Sequence, residues 1–382
     1  MIKLKKTAVC IVLVCTFFVN LCVLSYGAEL SGNYDAKSVI LIEASTGKVL
    51  YEDNADEMLP PASVTKIMTL LLICEALENG DIKLEDKVPV SEYAASMGGS
   101  QVFLKPGEDI TVDEMLKAIT VSSANDCAVA MAEFISGSEA AFVLKMNERA
   151  EQLGMKNTCF ENPTGLDDTV TRHLTTARDI SIMSRELMSH PVIFNYTTIW
   201  MDTIRQGQFG LTNTNKLIRF YSGANGLKTG STSKAKFCIS AAAKRDGMQL
   251  IAVVMASSTS AARNECAKLL LDFGFANYGV VNYQPSSLPP VKVKGATVDE
   301  LSVSHMGFSS LLPKGDVKKI TYETELEDTV TAPVKKGDKV GCVKYMLNGK
   351  VIGTSDITAD ADVPRIGFLQ MLVYMLKSFL NT

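Results

Sequence analysis

The spacing of apolar residues changes period several times along the chain. In SVILIEASTGKVLYEDN two alternating stretches flank Ser45-Thr46-Gly47-Lys48, the pattern of a β-hairpin and its turn. Pro60 and Pro61 then open a long apolar run, PPASVTKIMTLLLICEAL, which reads as a helix ending near Gly80. From Thr111 to Leu153 the spacing is helical, in several pieces. Thr176-Ala-Arg-Asp179 reads as a capping box that opens a further helix to about His190. After Lys216 the periodicity changes. Phe237–Ala243, a turn at Asp246-Gly247 and Met248–Ala256 predict an antiparallel hairpin, and Ala261–Phe273 is helical again. Strands at both ends with helices between them predict an α+β domain over residues 29–278. Both ends of that region build one antiparallel sheet, with a helical subdomain beside it.

A break at Tyr283-Gln-Pro-Ser-Ser-Leu-Pro-Pro290 introduces residues 284–363. Short alternating strands and turns such as Asn348-Gly349 predict a small all-β domain there. The tail, residues 364–382, is amphipathic at helical spacing. Gln370, Tyr374, Lys377, Ser378 and Asn381 fall on one side, and Phe368, Leu369, Leu372, Met375, Leu376 and Phe379 on the other. Its apolar stretch, Ile366–Leu380, falls short of the roughly 20 residues a bilayer span requires. The tail is therefore expected to lie in a membrane interface; a terminal helix packed on the protein is the alternative.

The N-terminus has the layout of a secretory signal. Lys3, Lys5 and Lys6 precede an uncharged run from Ala8 to Leu24, and Ser25-Tyr26-Gly27-Ala28 supplies small residues for cleavage. Residues 1–27 are expected to be removed; an uncleaved anchor is the alternative. Loss of those three lysines takes the net charge from −4 to −7. No basic stripe or run interrupts the body of the chain, which argues against nucleic acid as a partner. Six cysteines follow the leader, widely scattered and without a C-x-x-C pair. Cys74, Cys127, Cys238 and Cys266 lie in apolar patterns and read as small buried hydrophobes. His173, His190 and His305 are too far apart in sequence to suggest a metal site, and no cofactor is implied.

Ser63 and Lys66 stand at i and i+3 at the foot of the first helix, so they share one face. S-x-x-K alone carries little information. It recurs at Ser45–Lys48, Ser231–Lys234 and Ser233–Lys236, the first in a turn and the others at a strand entry. Only Ser63 begins a helix, where the positive end of the helix dipole lies near the hydroxyl. Two further short motifs follow in order: Ser123-Ala-Asn125 between helical stretches, and Lys228-Thr229-Gly230 leading into the predicted hairpin. A serine hydroxyl is a weak nucleophile until something takes its proton. No histidine is offered by a nearby motif, so Lys66 is the local candidate, and to act as base it must be neutral near pH 7. Burial or a second cation such as Lys228 would lower its pKa.

With these motifs in this order, the chain resembles the serine D-Ala-D-Ala carboxypeptidases among low-molecular-mass penicillin-binding proteins. LPPASVTKIMTLLL, SSANDCAVAMAE, ENPTGLDD, HLTTARD, NTNKL, GANGLKTGSTSKA and ARNECAKLLLDFGF are similar to that family's blocks, in order. The resemblance spans about residues 36–276 and extends more loosely over the β domain and tail. It looks closest to the sporulation-type branch of Gram-positive bacteria. It implies the fold shared by serine β-lactamases and DD-peptidases, export to the outer face of the cytoplasmic membrane, and attachment there through the tail. It implies a substrate as well, the peptidoglycan stem peptide ending in D-Ala-D-Ala, with β-lactams as covalent inhibitors.

The resemblance also assigns roles. Ser63 attacks the carbonyl between the two D-alanines, and Ser123 relays a proton to the leaving amine. Asn125, both donor and acceptor, holds Lys66 and the substrate amide. Lys228 and Thr229 bind the terminal carboxylate, with Arg263 nearby. Gly230 removes a side chain so that the substrate strand can lie along the edge. The N–H groups of Ser63 and Ser231 form the oxyanion hole. One departure is Ser231 itself, since relatives often carry something larger there.

The plain readings are an N-cap for Ser63, a solvated lysine for Lys66 and a helix cap for Asn125; His173 and Asp179 read as structural. A β-lactamase is one competing function. Class A enzymes need an extra glutamate to activate water, and no E-x-x-L-N-like segment lies between Asn125 and Lys228. A wall-binding scaffold with a vestigial site is the other.

Overall fold

The computed structural model describes residues 30, 33–168, 170–368 and 370–372. The predicted leader and most of the predicted tail helix lie outside them. Strands β1 (Ser38–Glu43) and β2 (Val49–Asp53) form the expected hairpin. Strands β3 (Ala224–Thr232), β4 (Lys236–Arg245) and β5 (Met248–Ser257) complete a five-stranded antiparallel sheet in the order β2-β1-β5-β4-β3. Both ends of this region thus share one sheet, and β3 is left on its edge.

Strand β1 departs from the expected alternation, because all six of its residues are buried. The sheet is covered on both faces. Ile40 and Ile42 join a core with Ile67 and Leu71 of helix α1 (Lys66–Glu78). Leu41 faces helix α5 (Ser260–Asn277), which closes the sheet's other side. A Cβ on Gly274 of that helix would lie 2.5 Å from Leu250 Cδ1 and 3.1 Å from Leu41 Cδ2, so glycine lets the helix sit down on the strands.

The apolar run seen in the sequence is the central helix. Every residue of α1 from Lys66 to Cys74 is buried, which explains why it shows no polar face. Helices α2 (Asn125–Ser136), α3 (Glu139–Gln152) and α4 (Ala177–Leu187) pack around it. The expected capping box at α4 is only half present. Thr176 Oγ1 accepts from Asp179 N at 3.0 Å, but the Asp179 carboxylate turns to Asn157 N and Thr158 Oγ1. Those partners sit in the adjoining loop, and they compete successfully for the carboxylate. A reciprocal box occurs instead at Thr111 and Glu114. Cys74, Cys127, Cys238 and Cys266 are buried among apolar side chains.

Helix α5 runs directly into β6 (Tyr278–Tyr283). The expected break at 283–290 is mostly strand: β7 (Ser286–Lys294) passes through Pro289 and Pro290. Its pairing with β8 (Glu300–His305) is irregular between Leu288 and Val291, since proline has no N–H to give the ladder. β9 (Phe308–Pro313), β10 (Ile320–Leu326), β11 (Thr329–Thr331), β12 (Lys339–Leu347) and β13 (Lys350–Ala359) follow. β6 pairs with β9, and the remaining strands form a six-stranded sheet ordered β10-β12-β13-β8-β7-β11. This sheet has its own core around Val303, Val343, Tyr345 and Ile357. In the described part of the tail, Phe368, Met371 and Leu372 are exposed rather than packed on the protein.

Candidate active site

The nucleophile candidate stands in strained surroundings. A 3-10 turn, Ala62–Thr65, leads into α1. Ala62 has φ of +48°, a region that alanine seldom enters. Gly165 lies against it, so closely that a Cβ there would fall 1.8 Å from Ala62 O. His173 braces the turn from behind. Its Nδ1 accepts from Glu161 N at 3.0 Å, so its proton is on Nε2, which donates to Thr65 Oγ1 at 2.8 Å. Burial holds this imidazole neutral, with its pKa lowered to about 4.

Lys66 is no solvated helix lysine, being wholly buried. Its Nζ lies 3.1 Å from Ser63 Oγ, 2.5 Å from Asn125 Oδ1 and 2.8 Å from Thr164 O. Burial, and next the charge of Lys228, hold the amine well below the usual lysine range, against the pull of Asp126 and Cys127. A neutral amine has two N–H groups and one lone pair. In that form the two carbonyl oxygens accept its N–H groups and the lone pair faces the serine hydroxyl; in the charged form the third N–H points at Ser63 Oγ.

Ser123 ends a π-helical turn, Ala118–Ser122, in the left-handed conformation, φ 65° and ψ 29°. Its Oγ is buried without a hydrogen-bond partner among the described residues. Asn125 opens α2, and its side chain does not cap that helix: Oδ1 faces Lys66, and Nδ2 donates to Gly98 O at 2.7 Å. The neighbouring Asp126 carboxylate accepts from Val102 N and Leu104 N, strapping that loop to α2.

The third segment is the edge strand β3. Thr229 Oγ1 donates to Thr214 Oγ1 at 2.7 Å. Lys228 is buried behind the strand, where Nζ donates to Thr229 O at 3.0 Å. Burial, then Arg263, lower its pKa to about 7. Arg263, itself pushed down to about 10 by burial, donates to Asn264 Oδ1 and keeps its charge at neutral pH. Gly230 also has a steric reason within the protein. A Cβ there would lie 2.8 Å from both Pro61 O and Ser63 N and 2.9 Å from Val64 N. Glycine is needed so that β3 can press on the turn carrying Ser63.

Ser63, Ser123, Thr229, Gly230, Ser231 and Arg263 line one cleft of about 270 Å³. Lys66, Asn125 and Lys228 stand behind its wall. A larger cavity, about 1130 Å³, lies by Asn225, at the far end of β3, and is lined by none of the candidate site residues. Residues 27–259 match the family model of D-alanyl-D-alanine carboxypeptidases. The chain belongs to that family. Residues 290–365 match the C-terminal domain of penicillin-binding protein 5, so the relationship extends through the β domain.

The carboxypeptidase is 47% identical over 347 residues to D-alanyl-D-alanine carboxypeptidase DacF of Bacillus subtilis, covering 89% of this chain and 88% of the relative. Penicillin-binding protein 5 of Haemophilus influenzae superposes with a TM-score of 0.71 at 30% identity, over 87% of this chain and 99% of that one. Penicillin-binding protein D2 of Listeria monocytogenes, solved with ampicillin bound, has a TM-score of 0.58 at 30% identity, over 63% of this chain and 97% of that one. The enzyme is a serine-type peptidase of a β-lactam-sensitive family that acts on peptidoglycan, and its place is outside the cytoplasm.

Several residues of the carboxypeptidase site carry no role in the sequence reading. Thr164 contributes a backbone oxygen, which leaves no trace in side-chain chemistry. Asn162 shapes the loop that delivers it, with Oδ1 accepting from Thr164 N and Gly165 N and Nδ2 donating to Leu166 O. The signals in the sequence were the turn-forming Asn162-Pro-Thr-Gly165 and its place in the family-like block ENPTGLDD. Among the described residues no Asp or Glu lines the cleft. Glu161 instead accepts from Thr171 N and Arg172 N. Nothing in the cleft therefore supplies the carboxylate that a class A β-lactamase uses for deacylation. Away from the cleft, Glu75, Glu186 and His190 approach one another, but Arg149 already pairs with both glutamates.

Proposed function

We propose that Ser63 is the nucleophile and Lys66 its general base. Ser63 Oγ adds to the carbonyl carbon between the two terminal D-alanines, and its proton passes to Lys66 Nζ. The N–H groups of Ser63 and Ser231 hold the oxyanion. As the C–N bond breaks, Ser123 Oγ gives its proton to the departing D-alanine amine and takes in its place the proton held on Lys66 Nζ. Water then hydrolyses the ester on Ser63 and regenerates the hydroxyl. Asn125 holds the base and the substrate amide. Thr229, Ser231 and Arg263 hold the terminal carboxylate, and Lys228 adds positive potential from behind the strand. The observation that carries this reading is the wholly buried Lys66 amine, 3.1 Å from Ser63 Oγ, with two carbonyl oxygens to occupy its N–H groups. Mass spectrometry of penicillin-treated enzyme should find one adduct, on Ser63, and the treated enzyme should no longer release D-alanine from a D-Ala-D-Ala peptide. An adduct on any other serine refutes the assignment.

The membrane attachment belongs to the same proposal. The leader directs export, and the tail holds the mature enzyme on the outer face of the cytoplasmic membrane. Phe368, Met371 and Leu372 support this, since they begin the apolar face and are exposed among the described residues. A chain lacking residues 364–382 should move from the membrane pellet to the soluble fraction with its D-alanine release intact. Continued pelleting of that signal-cleaved truncation rules the anchor out.

A further inference from the structure

One buried carboxylate beside the site has no part in the mechanism. Asp126 is wholly buried, stands in the first turn of α2 and makes no ion pair among the described residues. A charge there is costly even with the helix dipole in its favour. Backbone donors satisfy it. Cys127 N donates to Oδ1 at 2.9 Å, and Val102 N and Leu104 N each donate to Oδ2 at 3.1 Å. Arg205 holds the same segment through its carbonyls, with Nη1 donating to Val102 O at 2.8 Å and Nη2 to Phe103 O at 3.2 Å. Phe103, between the two clamped residues, has φ of +57°, which a phenylalanine seldom adopts unaided.

The clamped segment leads back to Ser100 and Gly98, and both hold Asn125. Ser100 O accepts from Asn125 N at 2.7 Å, and Gly98 O accepts from Asn125 Nδ2 at 2.7 Å. Gly99 passes so close that a Cβ there would lie 2.8 Å from Asn125 Nδ2. An amide has a donor end and an acceptor end, and what one end binds decides what the other presents. With Nδ2 held by Gly98 O, Oδ1 is presented to Lys66 Nζ. Reversed, an amide N–H would engage the lysine lone pair, which has to take the Ser63 proton.

We propose that Asp126 is a positioning residue for the base: by holding loop 98–104 it keeps Gly98 O on the Asn125 amide, and so keeps Oδ1 rather than Nδ2 against Lys66. This rests on the Ser63–Lys66 reading of the site. The test measures penicillin acylation across pH for Asp126→Asn, Asn125→Ala and the double variant. Asp126→Asn should slow acylation by about 10- to 10²-fold. In the Asn125→Ala background the same change should cost less than about twofold, because the amide through which it acts is gone. The acid limb of the Asp126→Asn profile should move to lower pH. A turned amide and a lost carboxylate both disfavour the ammonium form of Lys66, whose other titratable neighbours are Lys228 and Cys127. Simple loosening of the core would admit water and move that limb upward instead. Arg205→Gln frees the same loop from its half-buried side and serves if Asp126→Asn does not fold; its loss of rate should likewise require Asn125. Native acylation in either variant, an equal fall with and without Asn125, or an upward shift of the acid limb in Asp126→Asn overturns the proposal. Failure of the underlying reading looks different: penicillin would not label Ser63 even in the native enzyme.

Discussion

Lys66→Met should lower penicillin acylation and D-alanine release together, by about 10²- to 10⁴-fold, the usual contribution of a positioned base. The thioether fills much of the same buried space but cannot take the serine proton. The two rates fall together because one proton transfer serves both. Stability gives an independent readout. The native amine is held well below the ordinary lysine value. Between the two values the unfolded chain binds a proton that the folded one does not, so stability is lost as pH falls from about 10.5. The variant lacks this loss, although it leaves Asn125 Oδ1 and Thr164 O without their donor. The melting temperature of Lys66→Met minus that of the native enzyme should therefore shrink as pH is raised toward 10.5. In the native enzyme kcat/KM should rise with pH through a value well below 10.5, as Lys66 becomes neutral. It should weaken again for carboxylate-ended peptides as Lys228 deprotonates near 7, with Arg263 retaining charge to about 10. Wild-type acylation rates in Lys66→Met would end the proposed role for this amine.

Gly230→Ala should damage both folding and rate through three backbone atoms. Gly230 does not have a positive φ, so the cost is one of space rather than conformation. The added methyl would meet Pro61 O, Ser63 N and Val64 N at 2.8–2.9 Å, and none of these can rotate away as a side chain could. Forcing a methyl into such a contact costs about 1–3 kcal/mol. The strain is relieved by moving β3 away from the turn, which shifts Ser63 and the N–H groups proposed to hold the oxyanion. A displacement approaching 1 Å costs about 10²-fold in rate. Thermal unfolding and the second-order rate of acylation measure the two effects. A variant with native stability and native acylation would show that β3 and the Ser63 turn are not in the tight contact described.

The large elements were legible because burial imposes a period. The first hairpin, the central helix, the β4–β5 hairpin and α5 all stand where apolar spacing placed them. Two features misled. Pro289 and Pro290 suggested a linker, yet a strand tolerates them where its ladder is already irregular. Asp179 matched a capping box, yet Asn157 and Thr158 offered its carboxylate better partners. Neither outcome has a local cause, since each depends on neighbours brought in by the fold.

For the active site, the residue types Ser63, Lys66, Ser123, Asn125, Lys228 and Thr229, with their order and spacing, could be read from the chain, because reactivity resides in side chains that the sequence names. Whether Lys66 is neutral could not be read, because its pKa depends on the exclusion of water and on a second lysine 162 positions further along. The Thr164 oxygen, the left-handed turn at Ser123 and the steric reason for Gly230 are equally products of the fold. They are contacts of backbone with backbone or with distant side chains, and a sequence does not encode distances between segments far apart in it.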